Sequence, residues 1–246
     1  MDYFSTYIFV TLIASVDTMG IHIIGERPED VPLPLGSESH HRVKRLVYTD
    51  PKYRWTKGII PFTFDHSSLT NDDKATILQT MGIWEKYTCL RYVPYNSSTS
   101  SLYGIGHESH LHFFNDPQQI CQSPIGRMKN KTRRVRCCAL TTCLHELGHA
   151  AGLLHEQKSS ERDDWVRINW ENIKKELWYA FGKQPSDMTT SYGYDINSRM
   201  HYSSNAFTTE YGETITSLFD EVSIVAGDHY MFREASLGHN CQGKQT

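Results

Sequence analysis

The segment HELGHAAGLLHE, residues 145–156, constrains the fold of this chain more than any other stretch. His145 and His149 are four residues apart, so both lie on one face of a helix. His155 would lie about 15 Å beyond His145 along a continuous helix, and on another face. Gly152 resolves the conflict, because glycine ends helices in the left-handed conformation without a steric penalty. The spacing therefore predicts a helix that ends at Gly152 and a chain that turns back to bring His155 to the other two histidines.

The same segment predicts a metal site. An HExxH sequence on a helix places two imidazoles one turn apart around one zinc ion, with Glu146 beside the metal. A third ligand, His155, leaves one position open for water, which is typical of a catalytic zinc. Zinc lowers the pKa of bound water from about 15.7 to roughly 7, and Glu146 can accept the proton as the water attacks a peptide carbonyl. We therefore expect one Zn²⁺ ligated by His145, His149 and His155. Glu146 is the expected general base of peptide-bond hydrolysis.

The amino-terminal region is typical of a secreted precursor. An apolar run from Tyr7 to Val16 has the length of a secretory signal and is too short to span a bilayer. Residues 1–18 are therefore predicted to be a signal peptide, with no membrane association after its removal. Residues 19–45 are rich in Pro, Gly, Glu and Ser and end in RVKR, a dibasic cluster of the kind that processing proteases cut. They are predicted to be a propeptide, removed by a processing protease that cuts after Arg45.

Composition narrows the class of protein further. The 246 residues are 39% hydrophobic, which is enough for a sizeable core. The formal net charge of -3 gives no reason to expect nucleic acid or an anionic membrane as a partner. None of the six cysteines forms a CxxC pair, so disulfides are favoured over a cysteine metal site in a secreted chain. N-glycosylation sequons at Asn96 and Asn130 agree with secretion.

The hydrophobic pattern predicts a mixed α+β chain. A helix is expected over residues 71–87, where Ile77, Met81 and Trp84 form one apolar stripe. A further helix is expected from Asn169 to about Phe181. Strands are expected in KGIIPFTFD from residue 57 and near 89–95 and 110–114. The sequence changes near residue 152 from a regular pattern of strands and helices to a mostly turn-rich, irregular one, which suggests a break between two lobes.

HELGHAAGLLHE, followed by SRMHY at 198–202, resembles the metzincin zinc peptidases, and within them the astacin family, whose pattern is HExxHxxGxxHE with a later SxMHY. RWTKGIIPF, TCLRYVP, CQSPIGR and HEQKSSERDDWVRINWENI also agree with that family. The resemblance covers nearly all of residues 46–241. It implies that 46–246 form a peptidase domain with a two-lobed α+β fold. The amino-terminal lobe would hold a twisted, mostly parallel sheet and two helices. The carboxy-terminal lobe would be irregular, with the active-site cleft between the lobes.

The resemblance also implies roles for single residues. It repeats the three histidine ligands and the glutamate base predicted above. Tyr202 would be an additional zinc ligand through its phenol oxygen and would swing away to hydrogen-bond the developing oxyanion. Met200 would form an apolar floor beneath the metal, and Glu156 would contact the amino terminus that processing creates at Leu46. Glu26, in IIGE, is the nearest match to the aspartate with which such propeptides block zinc.

Two disulfides are implied by the resemblance, Cys89–Cys241 and Cys121–Cys137. Cys138 and Cys143 have no counterpart in that pattern. They could pair with each other, Cys143 could be a buried thiol, or Cys138 could replace Cys137.

The expected substrate is a protein or peptide in extended conformation. The resemblance implies that HLHFF, at 110–114, is an edge strand that pairs with it through main-chain hydrogen bonds. A basic run between residues 127 and 136 is interpreted as a solvated hairpin, with a site for acidic substrates or glycans as the alternative. Residues 219–240 match the family poorly. The competing hypothesis is an extracellular binding protein built on an inactive scaffold of the same fold.

Overall fold

The computed structural model describes residues 47, 50–118, 120–128, 131–137, 139–185, 194–209, 212–220 and 222–224. All of them belong to one compact unit, residues 41–246. The predicted signal peptide and propeptide lie outside the described residues, as do Leu46, Cys138 and Cys241. Within the described ranges, no helix is long and apolar enough to cross a membrane.

A four-stranded parallel sheet forms the centre of the amino-terminal lobe. Its strands are β1 (Ile59–Phe64), β2 (Arg91–Pro94), β3 (His110–Phe113) and β4 (Thr132–Val135), in the order β2-β1-β3-β4. All three neighbouring pairs are parallel. The sheet thus confirms the predicted α+β class with its mostly parallel sheet.

The position of β3 corrects one expectation. HLHFF is not an edge strand, because β3 pairs with β1 on one side and with β4 on the other. Leu111 and Phe113 are fully buried, as expected of an interior strand of a parallel sheet. The strands at the two edges of this sheet are β2 and β4, and β4 lies inside the basic run. Arg133 of that strand donates to the carbonyl of Ile125.

Two helices pack together against this sheet. Helix α1 (Asn71–Tyr87) begins at Thr70, whose side chain accepts from the Asp73 amide while the Asp73 carboxylate accepts from the Thr70 amide. This reciprocal cap satisfies two backbone donors at the start of the helix. The predicted stripe of Ile77, Met81 and Trp84 is buried. Helix α3 (Leu140–Ala151) carries the histidine motif and follows the short helix α2 (Thr99–Tyr103).

A second hydrophobic cluster forms the carboxy-terminal lobe, around the antiparallel strands β5 (Val166–Ile168) and β6 (Ile215–Ser217). The helix predicted from Asn169 to Phe181 is wrong. That stretch contains two 3₁₀ segments, Trp170–Asn172 and Lys175–Phe181, interrupted at Ile173, which is extended and bridges Thr208. Asn169 caps nothing, because its side-chain amide donates to the carbonyl of Glu213 instead.

The cysteine pairing also differs from the expectation. Cys137 is bonded to Cys143, with 4.7 Å between their Cα atoms, so the implied Cys121–Cys137 bond is wrong. Because α3 begins at Leu140, Cys143 lies in its first turns and reaches back to Cys137. Cys143 is therefore neither a free thiol nor the partner of Cys138. Cys121 is itself disulfide-bonded, and its pairing with Cys138 stays a prediction. Cys89 is bonded as well, and the Cys89–Cys241 pairing also stays a prediction.

Candidate metal centre

Helix α3 ends where the sequence predicts. Gly152 has a φ of 106°, and its amide donates to the carbonyl of His149 while the Leu153 amide donates to the carbonyl of Gly148. The chain reverses there and brings His155 back. One side-chain nitrogen from each of His145, His149 and His155 lies within 4.8 Å of the others. It is the only grouping of three His, Cys, Asp or Glu side chains in the described chain that could hold a metal ion.

The hydrogen bonds of two histidines fix which nitrogen is available. Nδ1 of His145 lies 2.8 Å from the carbonyl oxygen of Arg199, and Nδ1 of His149 lies 2.8 Å from that of Leu153. A carbonyl only accepts, so both Nδ1 atoms carry the proton and both Nε2 atoms keep a lone pair. Nε2 of His149 lies 3.3 Å from Nε2 of His155. Two nitrogens of a tetrahedral zinc site, each about 2.05 Å from the metal, are about 3.3 Å apart. The donor set therefore fits zinc.

The surroundings keep these ligands neutral. Burial lowers the pKa of all three imidazoles, to about 3 for His149 and about 2 for His155. A zinc ligand must be an unprotonated imidazole, and a desolvated pocket favours that form.

Glu146 is held beside the histidines and away from bulk water. Its side chain is 6% exposed, and this burial raises its pKa to about 7. The backbone of Ser123 lies near the carboxylate and opposes part of this rise in pKa, while Oε2 is buried with no hydrogen-bond partner. A carboxylate oxygen in that condition can accept a proton from a reacting group. The contact from Ser123 was missed in the sequence, although CQSPIGR includes that residue.

Met200 and Tyr202 each lie next to a residue of the histidine segment. Met200 is fully buried against α3 at Gly148. The Tyr202 ring centroid is 4.6 Å from that of His155, and burial raises the pKa of its phenol. Tyr202 packs against the second hydrophobic cluster, whereas Met200 belongs to the first. The candidate centre therefore lies where the two cores meet.

Glu156 is buried behind the site. Its Oε1 accepts from the amide of Asp195 at 3.0 Å, and its own amide donates to the carbonyl of Met200 at 2.9 Å. Leu46 lies outside the described residues, so contact between Glu156 and a new amino terminus stays a prediction.

Comparison with known proteins adds independent findings. The sequence profile of Astacin, a peptidase family, matches residues 47–238. The chain is 33% identical over 183 residues to Protein SpAN of Strongylocentrotus purpuratus, covering 72% of this chain and 29% of that protein. It is 34% identical over 173 residues to Low choriolytic enzyme of Oryzias latipes, covering 67% and 59%. The chain thus spans less than two thirds of the length of these relatives.

A solved structure resembles the fold. High choriolytic enzyme 1, a hatching enzyme zinc-protease from Oryzias latipes, matches with a TM-score of 0.67 and 26% identity. The match covers 78% of this chain and 97% of that one. The likeness therefore extends over almost the whole of that solved chain.

Proposed function

The chain belongs to the astacin family of peptidases, and on that premise we propose that it is a secreted zinc endopeptidase made as a zymogen. One observation carries the proposal. Three imidazole nitrogens converge within 4.8 Å of one another, next to a buried carboxylate that has one unsatisfied oxygen. These residues would hold one zinc ion and leave room for a reacting carbonyl.

Each side chain has a defined task in this proposal. His145, His149 and His155 bind the metal through nitrogens whose orientation the backbone carbonyls set. When bound, zinc supplies Lewis-acid polarisation of the scissile carbonyl and acidifies the attacking water. Glu146 accepts the proton of that water and delivers it to the leaving amine. Tyr202 donates a hydrogen bond to the oxyanion as it develops.

The substrate would be an extended peptide that pairs with a strand edge. In this proposal the edge is the segment around Gln122. Gln122 forms an antiparallel bridge with Arg136, the residue that directly follows β4. The backbone of Ser123, the residue after Gln122, lies near the Glu146 carboxylate, so this segment would connect a paired substrate to the base. Main-chain pairing recognises extended peptide with little demand on sequence.

Secretion and latency complete the proposal. Residues 1–18 would direct secretion, residues 19–45 would keep the enzyme inactive, and cleavage after Arg45 would release it. Glu156 is buried and close to the site, where a new amino terminus at Leu46 could pair with it. Glu26 is the proposed blocking ligand of the latent form.

The test is cleavage of a peptide library by the secreted chain after processing at Arg45. Addition of a zinc chelator should abolish turnover, and restoring zinc should recover it. Glu146→Gln should lower kcat by about 10² to 10⁴ while zinc remains bound, because only the proton acceptor is lost. Glu176→Gln, at an exposed position, is the matched control and should cleave normally. A wild-type chain that binds zinc and cleaves nothing would favour the alternative, an extracellular binding protein.

A further inference from the structure

Two buried side chains that belong to neither the ligand set nor the substrate edge form a chain of hydrogen bonds that ends on the backbone of Tyr202. We propose that Tyr194 and His201 are positioning residues, which fix the main chain of Tyr202 so that its phenol can move between the metal and the oxyanion. The inference rests on the proposed function of Tyr202 and adds the residues that support it.

Hydrogen bonds connect the Tyr194 hydroxyl to His201, and His201 to the carbonyl of Tyr202. Nδ1 of His201 lies 2.5 Å from the carbonyl oxygen of Tyr202, and Nε2 of His201 is hydrogen-bonded to the hydroxyl of Tyr194. Because the carbonyl only accepts, Nδ1 donates, and in the neutral imidazole Nε2 then accepts from the Tyr194 hydroxyl. The Tyr202 carbonyl therefore selects the tautomer of His201, and the Tyr194 hydroxyl holds the other side of the ring, so that His201 is fixed in the orientation in which it bonds Tyr202.

The other backbone group of Tyr202 is held as well. Its amide donates to the side-chain oxygen of Gln157, at 3.3 Å, and Gln157 is fully buried. Both polar groups of the Tyr202 main chain are thus bonded to buried side chains, the carbonyl to that of the neighbouring His201 and the amide to that of the distant Gln157. With the main chain fixed at both groups, the phenol can move only by rotation of its own side chain.

The environment of the phenol ring is consistent with such a movement. The ring centroid lies 4.6 Å from that of His155, 5.3 Å from Phe207 and 5.7 Å from Phe181. The two phenylalanines contribute no hydrogen-bonding groups, so they bind the ring without fixing its hydroxyl. The accuracy of the phenol's position must then come from the backbone, where a displacement of about 1 Å can cost about a hundredfold in rate.

A purely structural role is the competing explanation. Tyr194 belongs to the second hydrophobic cluster, and its ring stacks on Trp165 at 6.1 Å. Tyr194→Phe keeps this packing and removes only the hydroxyl. A structural role predicts a lower melting temperature with unchanged kinetics. A positioning role predicts changed kinetics and a changed metal environment in a protein that remains folded.

The experiment compares Tyr194→Phe with wild type in the processed chain, in zinc-loaded and Cu(II)-substituted forms. We expect kcat and kcat/KM to fall equally, by about tenfold to a hundredfold. We also expect the phenolate-to-copper charge-transfer absorption to weaken or shift. Tyr95→Phe is the matched control, because it removes a hydroxyl that donates to Glu108 at 2.7 Å and should change neither readout.

The outcomes distinguish failure of the positioning role of Tyr194 and His201 from failure of the proposed function of Tyr202. Wild-type kcat and an unchanged absorption band in Tyr194→Phe would overturn the inference, as would a loss of stability alone. If Tyr194→Phe does not fold, His201→Asn, which retains a donor near Nδ1, must keep more activity than His201→Leu, and equal activities would also overturn it. Tyr202→Phe must abolish the band in the same series. If it does not, the proposed function of Tyr202 itself fails, whatever Tyr194 does.

Discussion

The sulfur of Met200 occupies the space that a side chain at Gly148 would need. A Cβ built on Gly148 would lie 2.7 Å from Met200 Sδ, and Met200 is fully buried beneath α3. The glycine inside the HELGH sequence is therefore required by packing against the residue below it. Gly148 lies between Glu146 and His149, so any shift of the helix there displaces the candidate metal centre.

Gly148→Ala should destabilise the zinc-loaded protein by about 1–3 kcal/mol, because the added methyl overpacks the Met200 sulfur. Urea unfolding measures the change. Gly82→Ala is the matched control: Gly82 is an exposed glycine inside α1 with nothing within 4 Å of the added Cβ. There the substitution should stabilise by about 0.5–1 kcal/mol, through helix propensity. Equal effects at the two positions would contradict the packing argument.

Gly152→Ala tests the turn that brings His155 to the site. No atom lies within 4 Å of the added Cβ, so the cost is conformational, about 1–3 kcal/mol for a non-glycine residue held at φ 106°. Zinc affinity should fall with stability, as measured by competition with a chelator. Gly152→Asn should be milder, since asparagine tolerates left-handed backbone better than alanine. Alanine binding zinc as tightly as glycine would show that the turn does not depend on this residue.

His107 should make the fold sensitive to acid. Burial, followed by the charge of Arg127, lowers the pKa of its imidazole from 6.5 to about 4. As the pH falls, the imidazole of His107 therefore binds a proton at a higher pH in the unfolded chain than in the folded protein. The stability contributed by neutral His107 is complete above pH 6.5 and is lost as the pH falls towards 4, by about 3 kcal/mol at most.

His107→Asn removes this titration and keeps an acceptor for the Ser109 amide, which donates to Nδ1 of His107. Unfolding free energies of both proteins should be measured from neutral pH down to about pH 4. The difference between them should change over that window. Parallel curves would exclude His107 as the source of the acid sensitivity.

The disulfide at the start of α3 gives a chemical prediction. Digestion of the oxidised protein should yield a peptide in which Cys137 is linked to Cys143. Cys143→Ala should expose one thiol that reacts with a thiol reagent after denaturation, since Cys137 loses its partner. Finding Cys137 linked to Cys121 in the mass spectrum would contradict this pairing.

Local signals predicted the elements whose ends depend on nearby residues. Helix α1 begins at Asn71, directly after Thr70, and the side chains of Thr70 and Asp73 cap its first turn. Its apolar stripe repeats at helical spacing. The end of α3 at Gly152 followed from the histidine spacing together with the glycine at that position. The start of α1 and the end of α3 each depend on residues close together in the chain, so the local sequence was enough to predict them.

Pairings between distant segments could not be read in the same way. Strand β3 lies inside the sheet because β4 pairs with it, and the charges of Arg133 and Arg134 conceal β4 in the sequence. The extended conformation of Ile173 depends on its bridge to Thr208, far along the chain. The choice between the adjacent Cys137 and Cys138 likewise depends on where α3 starts, which sequence spacing did not define.

The hydrogen bond from His145 to the carbonyl of Arg199 has a consequence for biosynthesis. The last histidine of the site, His155, is synthesised 44 residues before Arg199 (199 − 155 = 44). At about 5–20 residues per second, the ribosome needs about 2–9 s to add that stretch. During this interval the nascent chain has all three imidazoles but lacks the carbonyl that orients the first of them. Metal uptake in its final geometry therefore has to wait until Arg199 has been made.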